Sequence, residues 1–151
     1  MTNSASIRVF KAGIEHLTQA KELINLWQLE DRVTTLDFPA DNYLEKLLLS
    51  SSFHQYLALD DDKVIGGLTA YELPMFSKQE SEMFLYEIGV EASYRKLGVA
   101  TNLINALKKT CSEKAIHIIF VGTEADNTPA QKLYEASGAI EEDIAWFTYE
   151  V

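Results

Sequence analysis

At Arg95-Lys96-Leu97-Gly98-Val99-Ala100 an alternating apolar run gives way to a helical pattern. Such a junction suits an anion. The first amide N–H groups of a helix have no partner within it, and the helix dipole adds positive potential. Gly98 and Ala100 lack bulk, so a phosphate can approach the backbone, while Arg95 and Lys96 add full charges. Residues 95–114 carry five Lys or Arg against one acid, within a 151-residue chain of formal charge −10. Taken alone, these six residues suit a solvated helix start containing a glycine equally well. The chain has neither Gly-x-x-x-x-Gly-Lys-Ser/Thr nor Gly-x-Gly-x-x-Gly, the other common phosphate readers.

The elements that must position this junction follow from periodicity. Residues 6–10 alternate as a strand, and Leu17, Ala20, Ile24 and Trp27 mark a helix between Ile14 and Glu30. Pro39 breaks the chain before a short helix that Asp41 can cap. Residues 54–60 and 64–74 read as a hairpin, its aspartates 60–62 as a solvated turn without the ligand spacing of a metal loop. Residues 81–90 form a strand expected to place Phe84, Tyr86 and Ile88 on one face and Leu85, Glu87 and Gly89 on the other. Residues 98–114 form a helix with Ala100, Leu103, Ile104 and Leu107 on its apolar side, and 116–122 a strand buried on both faces. A helix follows, with Thr128 as cap, Pro129 in its first turn and Gly138 as its stop. Residues 145–151 close the chain as a strand. The order β-α-α-β-β-β-α-β-α-β gives a mixed α/β (α+β) fold around one sheet, read as a single domain over 1–151.

Composition narrows the function. With 47% hydrophobic and 24% charged residues the chain reads as folded. Its 23 Asp and Glu against 13 Lys and Arg argue against nucleic acid and suit a cationic partner. No run approaches the roughly 18 apolar residues of a membrane helix, and MTNSASIRVF lacks the pattern of a secretory leader. Cys111 is the one cysteine, which excludes an intrachain disulfide and a Cys-based zinc site; in its helical run it reads as a small buried residue. His16, His54 and His117 match no metal spacing, so no metal is expected. The expected location is the cytoplasm.

Arg-x-x-Gly-x-Ala between strand and helix resembles the acetyl-CoA pyrophosphate loop of the GNAT N-acetyltransferase superfamily. The strand before it, the apolar strand at 116–122, and Asn127-Thr128-Pro129-Ala130-Gln131-Lys132-Leu133-Tyr134-Glu135-Ala136-Ser137-Gly138 match the superfamily core in order and spacing. Within it, the chain looks most like the type I aminoglycoside 3-N-acetyltransferases, through DNYLEKLLLSSSFHQYLAL, VIGGLTAYELPMFSKQESEMFLYEIGV, YRKLGVATNLINALK and TPAQKLYEASGAIEE. These segments span roughly residues 40–142, about two thirds of the chain, and the N-terminal third matches less clearly. The resemblance implies a GNAT-type, mostly antiparallel sheet flanked by helices on both faces. It also implies acetyl-CoA as co-substrate and a possible homodimer, whose interface residues 145–151 could help to form.

Carried onto this sequence, the resemblance implies that main-chain groups of Ile88 and Val90 pair with the pantetheine arm as an added strand. Arg95, Lys96, Gly98, Val99, Ala100 and Thr101 would hold the pyrophosphate, with Asn127 and Lys132 along the cofactor. Tyr134 corresponds to the tyrosine that points at the thioester sulfur, and Glu87 falls where the subfamily has Asp. The chemistry is coherent. An amine of pKa near ~8 is mostly protonated at pH 7, so a carboxylate at the reacting centre can bind the ammonium and then accept its proton. The Tyr134 hydroxyl could supply a proton or hydrogen bond to the departing thiolate, and an N–H of Ile88 or Val90 could polarise the carbonyl. Positioning of two bound reactants, not a covalent nucleophile, would carry the rate. The plainer alternatives are an exposed Glu87 in an ordinary ion pair and a Tyr134 that only packs on the sheet. The extra methylene of Glu87 leaves the reaction class intact and bears on substrate range.

A polycationic acceptor calls for an acidic cleft with hydrogen-bonding partners. The sequence offers Asp37 and Asp41 between the first helices, Tyr71 and Glu72 on the third strand, and Glu124 and Asp126 after the apolar strand. Glu124 matches an acidic position of the subfamily. Glu141, Glu142 and Asp143 follow the last helix, where a solvated turn is the alternative. A GNAT for a polyamine or peptide amine, and a non-catalytic acetyl-CoA-binding module, are the competing readings.

Overall fold

The computed structural model describes residues 6–32 and 37–151. Residues 1–5, which belong to the leader reading, and 33–36, in the loop before the second helix, lie outside the described residues. In chain order the elements are β1 (Ile7–Lys11), α1 (Leu17–Glu30, entered through a 3-10 turn at Ile14–His16), α2 (Asp41–Leu49), β2 (Phe53–Asp60), β3 (Lys63–Pro74), β4 (Ser81–Val90), a 3-10 turn at Ala92–Tyr94, α3 (Val99–Glu113), β5 (Ile119–Phe120) and α4 (Thr128–Ala136). The five strands form one sheet in the order β1-β2-β3-β4-β5. Pairing is antiparallel from β1 to β4 and parallel between β4 and β5. This is the mixed α/β, mostly antiparallel arrangement expected from the sequence.

Helices cover both faces because the strands are apolar on both. Leu103, Ile104, Leu107 and Cys111 of α3 recur at helical spacing and pack on Tyr56, Ala58, Leu68, Ala70, Met83 and Leu85. On the opposite face Leu23 of α1, with Leu26 and Trp27, packs on Leu57, Leu59 and Val64. Cys111 is buried, as expected, and burial pushes its thiol pKa up.

Five local expectations are corrected. Alternation in β4 breaks at a bulge: Thr69 pairs with Glu87 and Ala70 with Leu85, leaving Tyr86 as the extra residue. Phe84 and Glu87 therefore share one face, while Leu85 and Ile88 pack on the α3 side. The apolar strand is only Ile119–Phe120, because it lies at the sheet edge, with Ile118 half-exposed. Residues 139–151 form no helix or strand. Their alternation favours extended backbone, but a strand needs a paired edge, and Ile144, Trp146, Phe147 and Tyr149 stand exposed. Finally, Asn127 and not Thr128 caps α4, its side chain accepting from the Ala130 N–H at 3.2 Å. Asp41, expected as a cap, is the first residue of α2 and pairs with Lys21 at 2.8 Å.

On the α3 face a charged cluster ties strand ends to the end of α3. Glu72 accepts from Lys114 Nζ at 2.9 Å and lies 3.4 Å from His54 Nε2, with His54 buried and its Nδ1 without a partner. Burial, then the nearby Lys11 charge, lowers the His54 pKa despite Glu72. Burial opposes ionisation of Glu72, but the Lys114 bond and charge and the His54 bond outweigh it and lower its pKa.

The folded state therefore binds fewer protons at His54 than the unfolded chain as pH falls through the ordinary histidine range. Stability present above that range is lost on acidification, by up to about 1.4 kcal/mol per pH unit. Glu72 adds a second loss below the ordinary carboxylate range. Urea unfolding between pH 7 and 5 should show the first decline, and His54→Gln should flatten it; an unchanged slope would remove His54 as its source.

Candidate functional site

The site begins where β4 and β5 part. Only Met83–Ile119 and Phe84–Phe120 are in register, so the pairing ends there and the strands diverge. A groove of about 1530 Å³ follows this divergence and passes over the groove face of β2 to β4. Ile88, Gly89 and Val90 of β4 line its middle, Gly122 and Thr123 the opposite wall.

One end is built for an anion. Lys96 and Gly98 are left-handed, with φ 61° and 80°. For Lys96, which carries a Cβ, that conformation costs about 1–2 kcal/mol. The chain around it is pinned: Arg95 Nε donates to the Val90 carbonyl at 3.1 Å, and Arg95 Nη2 meets Glu30 at 2.9 Å. The first intrahelical bond runs from the Asn102 N–H to the Gly98 carbonyl, and no side chain caps the helix. The amides ahead of Asn102 thus lack intrahelical acceptors, and Gly98, Val99, Ala100 and Thr101 line the groove. Asn127, Lys132 and Tyr134 approach from α4. Burial pushes the Tyr134 phenol up, so it keeps its proton at neutral pH.

The other end is acidic and aromatic. Gln55, Thr69 and Glu87 lie in one row across β2, β3 and β4. Thr69 Oγ1 donates to Glu87 Oε2 at 2.6 Å, which fixes the carboxylate and leaves its second oxygen for a ligand. The neighbouring row is aromatic: Phe53 and Tyr71 lie 5.3 Å apart, and Tyr71 and Tyr86 meet edge-on at 5.7 Å. Phe84 meets Tyr86 edge-on at 5.4 Å and stacks on Phe120 at 4.8 Å. Burial raises the Tyr71 pKa, with Tyr43, Glu87 and Tyr86 adding to it. Asp37, Gln28 and Tyr43 also line the groove, from α1, α2 and the chain between them.

Most of the residues singled out from the sequence meet here: Glu87, Tyr134, Ile88, Val90, Arg95, Lys96, Gly98, Val99, Ala100, Thr101, Asn127, Lys132, Tyr71 and Asp37 all line the groove. Others do not. Glu124 and Asp126 are exposed in the turn leading to Asn127 and line neither this groove nor a smaller cavity behind β5, because β5 ends early and the turn carries them to solvent. Glu141, Glu142 and Asp143 lie on the exposed segment after α4. Glu72 points to the α3 face, opposite its neighbour Tyr71, as strand alternation requires. Gln28, Gln55, Thr69, Phe84 and Tyr86 were not legible as site residues. The signal for Gln55 and Thr69 was a polar side chain in an otherwise apolar strand.

The groove floor depends on a close approach. Trp27 Nε1 donates to the Gly89 carbonyl at 3.3 Å, and a Cβ on Gly89 would fall 2.6 Å from that nitrogen.

Four comparisons bear on this site. The model of the acetyltransferase (GNAT) family matches residues 20–139. An aminoglycoside acetyltransferase from an uncultured soil metagenomic sample is 30% identical, with TM-score 0.90 over 97% of this chain and 99% of that one. Another such enzyme, also from a soil metagenomic sample and solved with sisomicin, shares the fold at 23% identity and TM-score 0.92, over 97% of both chains. An L-2,4-diaminobutyric acid acetyltransferase of Shouchella clausii (strain KSM-K16) is 38% identical over 80 residues, 53% of this chain and 41% of that enzyme.

Gly89→Ala should displace Trp27, lower stability by about 1–3 kcal/mol and red-shift the tryptophan emission. Unfolding curves and fluorescence check this; an unaltered spectrum at wild-type stability would mean that α1 does not rest on Gly89.

Proposed function

The chain belongs to the acetyltransferase (GNAT) family, and from that premise we propose that it acetylates an amine, the 3-amino group, of an aminoglycoside. One observation carries the choice of acceptor: charge is divided along the groove. Its Lys and Arg among the described residues, Arg95, Lys96 and Lys132, lie at the α3 and α4 end, where Glu30 pairs with Arg95, while Glu87 and Asp37, which pair with no Lys or Arg among the described residues, also line the groove. An anionic donor and a polycationic acceptor are each matched by one end.

The uncapped helix start and its left-handed turn fit the pyrophosphate of acetyl-CoA. Arg95, Lys96 and the backbone from Gly98 to Thr101 would hold it, with Asn127 and Lys132 beside it. Ile88 and Val90 would bind the pantetheine arm along β4. Acetyl-CoA supplies an acetyl group activated as a thioester. Glu87, oriented by Thr69, holds the acceptor ammonium and takes its proton. The Tyr134 hydroxyl, kept protonated by burial, donates to the departing sulfur. A main-chain N–H of Ile88 or Val90 polarises the acetyl carbonyl. The lone buried Cys111 suits a cytoplasmic setting.

The diaminobutyrate relative favours a second reading, a small diamine or another cationic acceptor. Against an amino-acid acceptor stands the lack, among the described residues, of a Lys or Arg at the acidic end to meet its carboxylate. The segment after α4 supports association with a second copy. Trp146 and Phe147 are 70% and 83% exposed, and the edge strand β5 has a free side that such a segment could cover. A monomeric mass by light scattering, unchanged on Phe147→Glu, would overturn that association.

Glu87→Gln should keep acetyl-CoA affinity while turnover falls about 10²–10⁴-fold. Thiol release would be followed with aminoglycosides, polyamines, diaminobutyrate and peptides. Turnover confined to polyamines or diaminobutyrate would overturn the aminoglycoside reading, cofactor binding without turnover would mark a non-catalytic module, and near-wild-type turnover in Glu87→Gln would remove it as base.

A further inference from the structure

Two amide side chains at the acidic end of the groove carry buried oxygens that no protein donor reaches. Gln55 is 6% exposed, and its Oε1 has no hydrogen-bond partner. Gln28 donates from Nε2 to the Asp37 carbonyl at 2.9 Å, and its Oε1 is likewise buried without a partner. Both residues line the groove. An unsatisfied buried carbonyl costs about 1–3 kcal/mol, so an apolar residue at position 55 would serve the fold better. The rows on either side are apolar or aromatic: Leu57, Gly67 and Gly89 on one, Phe53, Tyr71 and Phe84 on the other. Between them runs the polar row of Gln55, Thr69 and Glu87.

We propose that Gln55 is a specificity-determining residue that accepts a hydrogen bond from a second donor group of the acceptor while Glu87 holds the reacting amine. The proposal rests on the reading that this groove takes an amine at Glu87, and it adds what else the substrate must carry. The members of the row serve in sequence. Glu87 Oε2 is occupied by Thr69, its other oxygen faces the amine, and Gln55 stands two strands away. Adjacent strands are about 4.8 Å apart, so the backbones of Gln55 and Glu87 are separated by about 10 Å, and their long side chains shorten the gap. A second amine or hydroxyl held across a ring, or along a short chain, spans what remains. Gln28 offers a third acceptor from α1. The site thus selects molecules with several N–H or O–H donors and discriminates against simple monoamines, whose binding leaves the Gln55 oxygen unsatisfied.

The test compares 1,3-diaminocyclohexane with cyclohexylamine, which differ by the second donor, with sisomicin as a third probe. Binding and acetylation are measured for the full-length wild type, Gln55→Met and Gln55→Glu, each saturated with acetyl-CoA. Wild type should prefer the diamine by about tenfold or more. Gln55→Met should abolish that preference, leave the KM for acetyl-CoA unchanged, and unfold at equal or higher urea. Gln55→Glu, which still accepts from an ammonium, should retain the preference. A wild type indifferent to the second donor, or a preference that persists in Gln55→Met, overturns the proposal. So does a Gln55→Met variant that loses stability and both activities together, since that marks a purely structural residue. If the diamine preference depends on Gln55 but sisomicin is not acetylated, the aminoglycoside reading fails and the role of Gln55 stands.

Discussion

The site depends on the end of pairing between β4 and β5. Two residue pairs hold these parallel strands together before they separate. Had the ladder continued, β5 would have covered the edge of β4 opposite β3, and no groove would run beside Ile88, Gly89 and Val90. The sheet tolerates the separation because α3 and α4 fill in behind it. Leu133 and Tyr134 pack against the same core as Leu103, Ile104 and Leu107. The backbone groups left without a strand partner become a binding edge, since buried main-chain donors and acceptors seek partners of some kind.

Around that edge the chain joins one pair of opposite charges and leaves Glu87 apart from any cation among the described residues. Arg95 is drawn to Glu30 and the Val90 carbonyl, so it lies fixed at the loop. Glu87 is held by a neutral partner, Thr69. A hydroxyl donor orients the carboxylate while leaving its charge uncompensated, which a lysine in the same place would not do. The chain's overall acidity of −10 is therefore less informative than its local distribution.

The half of the groove proposed to bind the donor was legible in the sequence because that half is local. Arg95 to Thr101 form one turn, and Asn127 to Tyr134 one helix start, so spacing along the chain corresponds to spacing in space. The acceptor half is assembled from register. Gln55, Thr69 and Glu87 are far apart in sequence and become neighbours only when β2, β3 and β4 align. Strict alternation also misassigned β4, because a single extra residue at Tyr86 reverses the phase. The segment at 145–151 has the pattern of a strand, but a pattern cannot provide the edge on which a strand forms. Glu124 and Asp126 lie outside the groove lining for a related reason: where β5 stops decides which way the following turn faces.

This division of labour also separates the two specificities within the gene. On the proposed function, the acceptor wall would draw on α1, α2, β2 and β3, together with Phe84, Tyr86 and Glu87, and the donor wall would run from Ile88 to Tyr134, with Glu30 of α1 pinning Arg95. Changes in the N-terminal half that keep Trp27 and Glu30 would then alter the preferred amine without disturbing the segment proposed to hold the donor. The hinge between the halves is Gly89, whose carbonyl receives Trp27 from the acceptor side. Recombination with a crossover close to that glycine would exchange one substrate class while conserving the other, provided the incoming helix brought an indole of the same reach. If the proposed function holds, a lineage built this way would diversify its acceptors quickly and keep a single acyl donor.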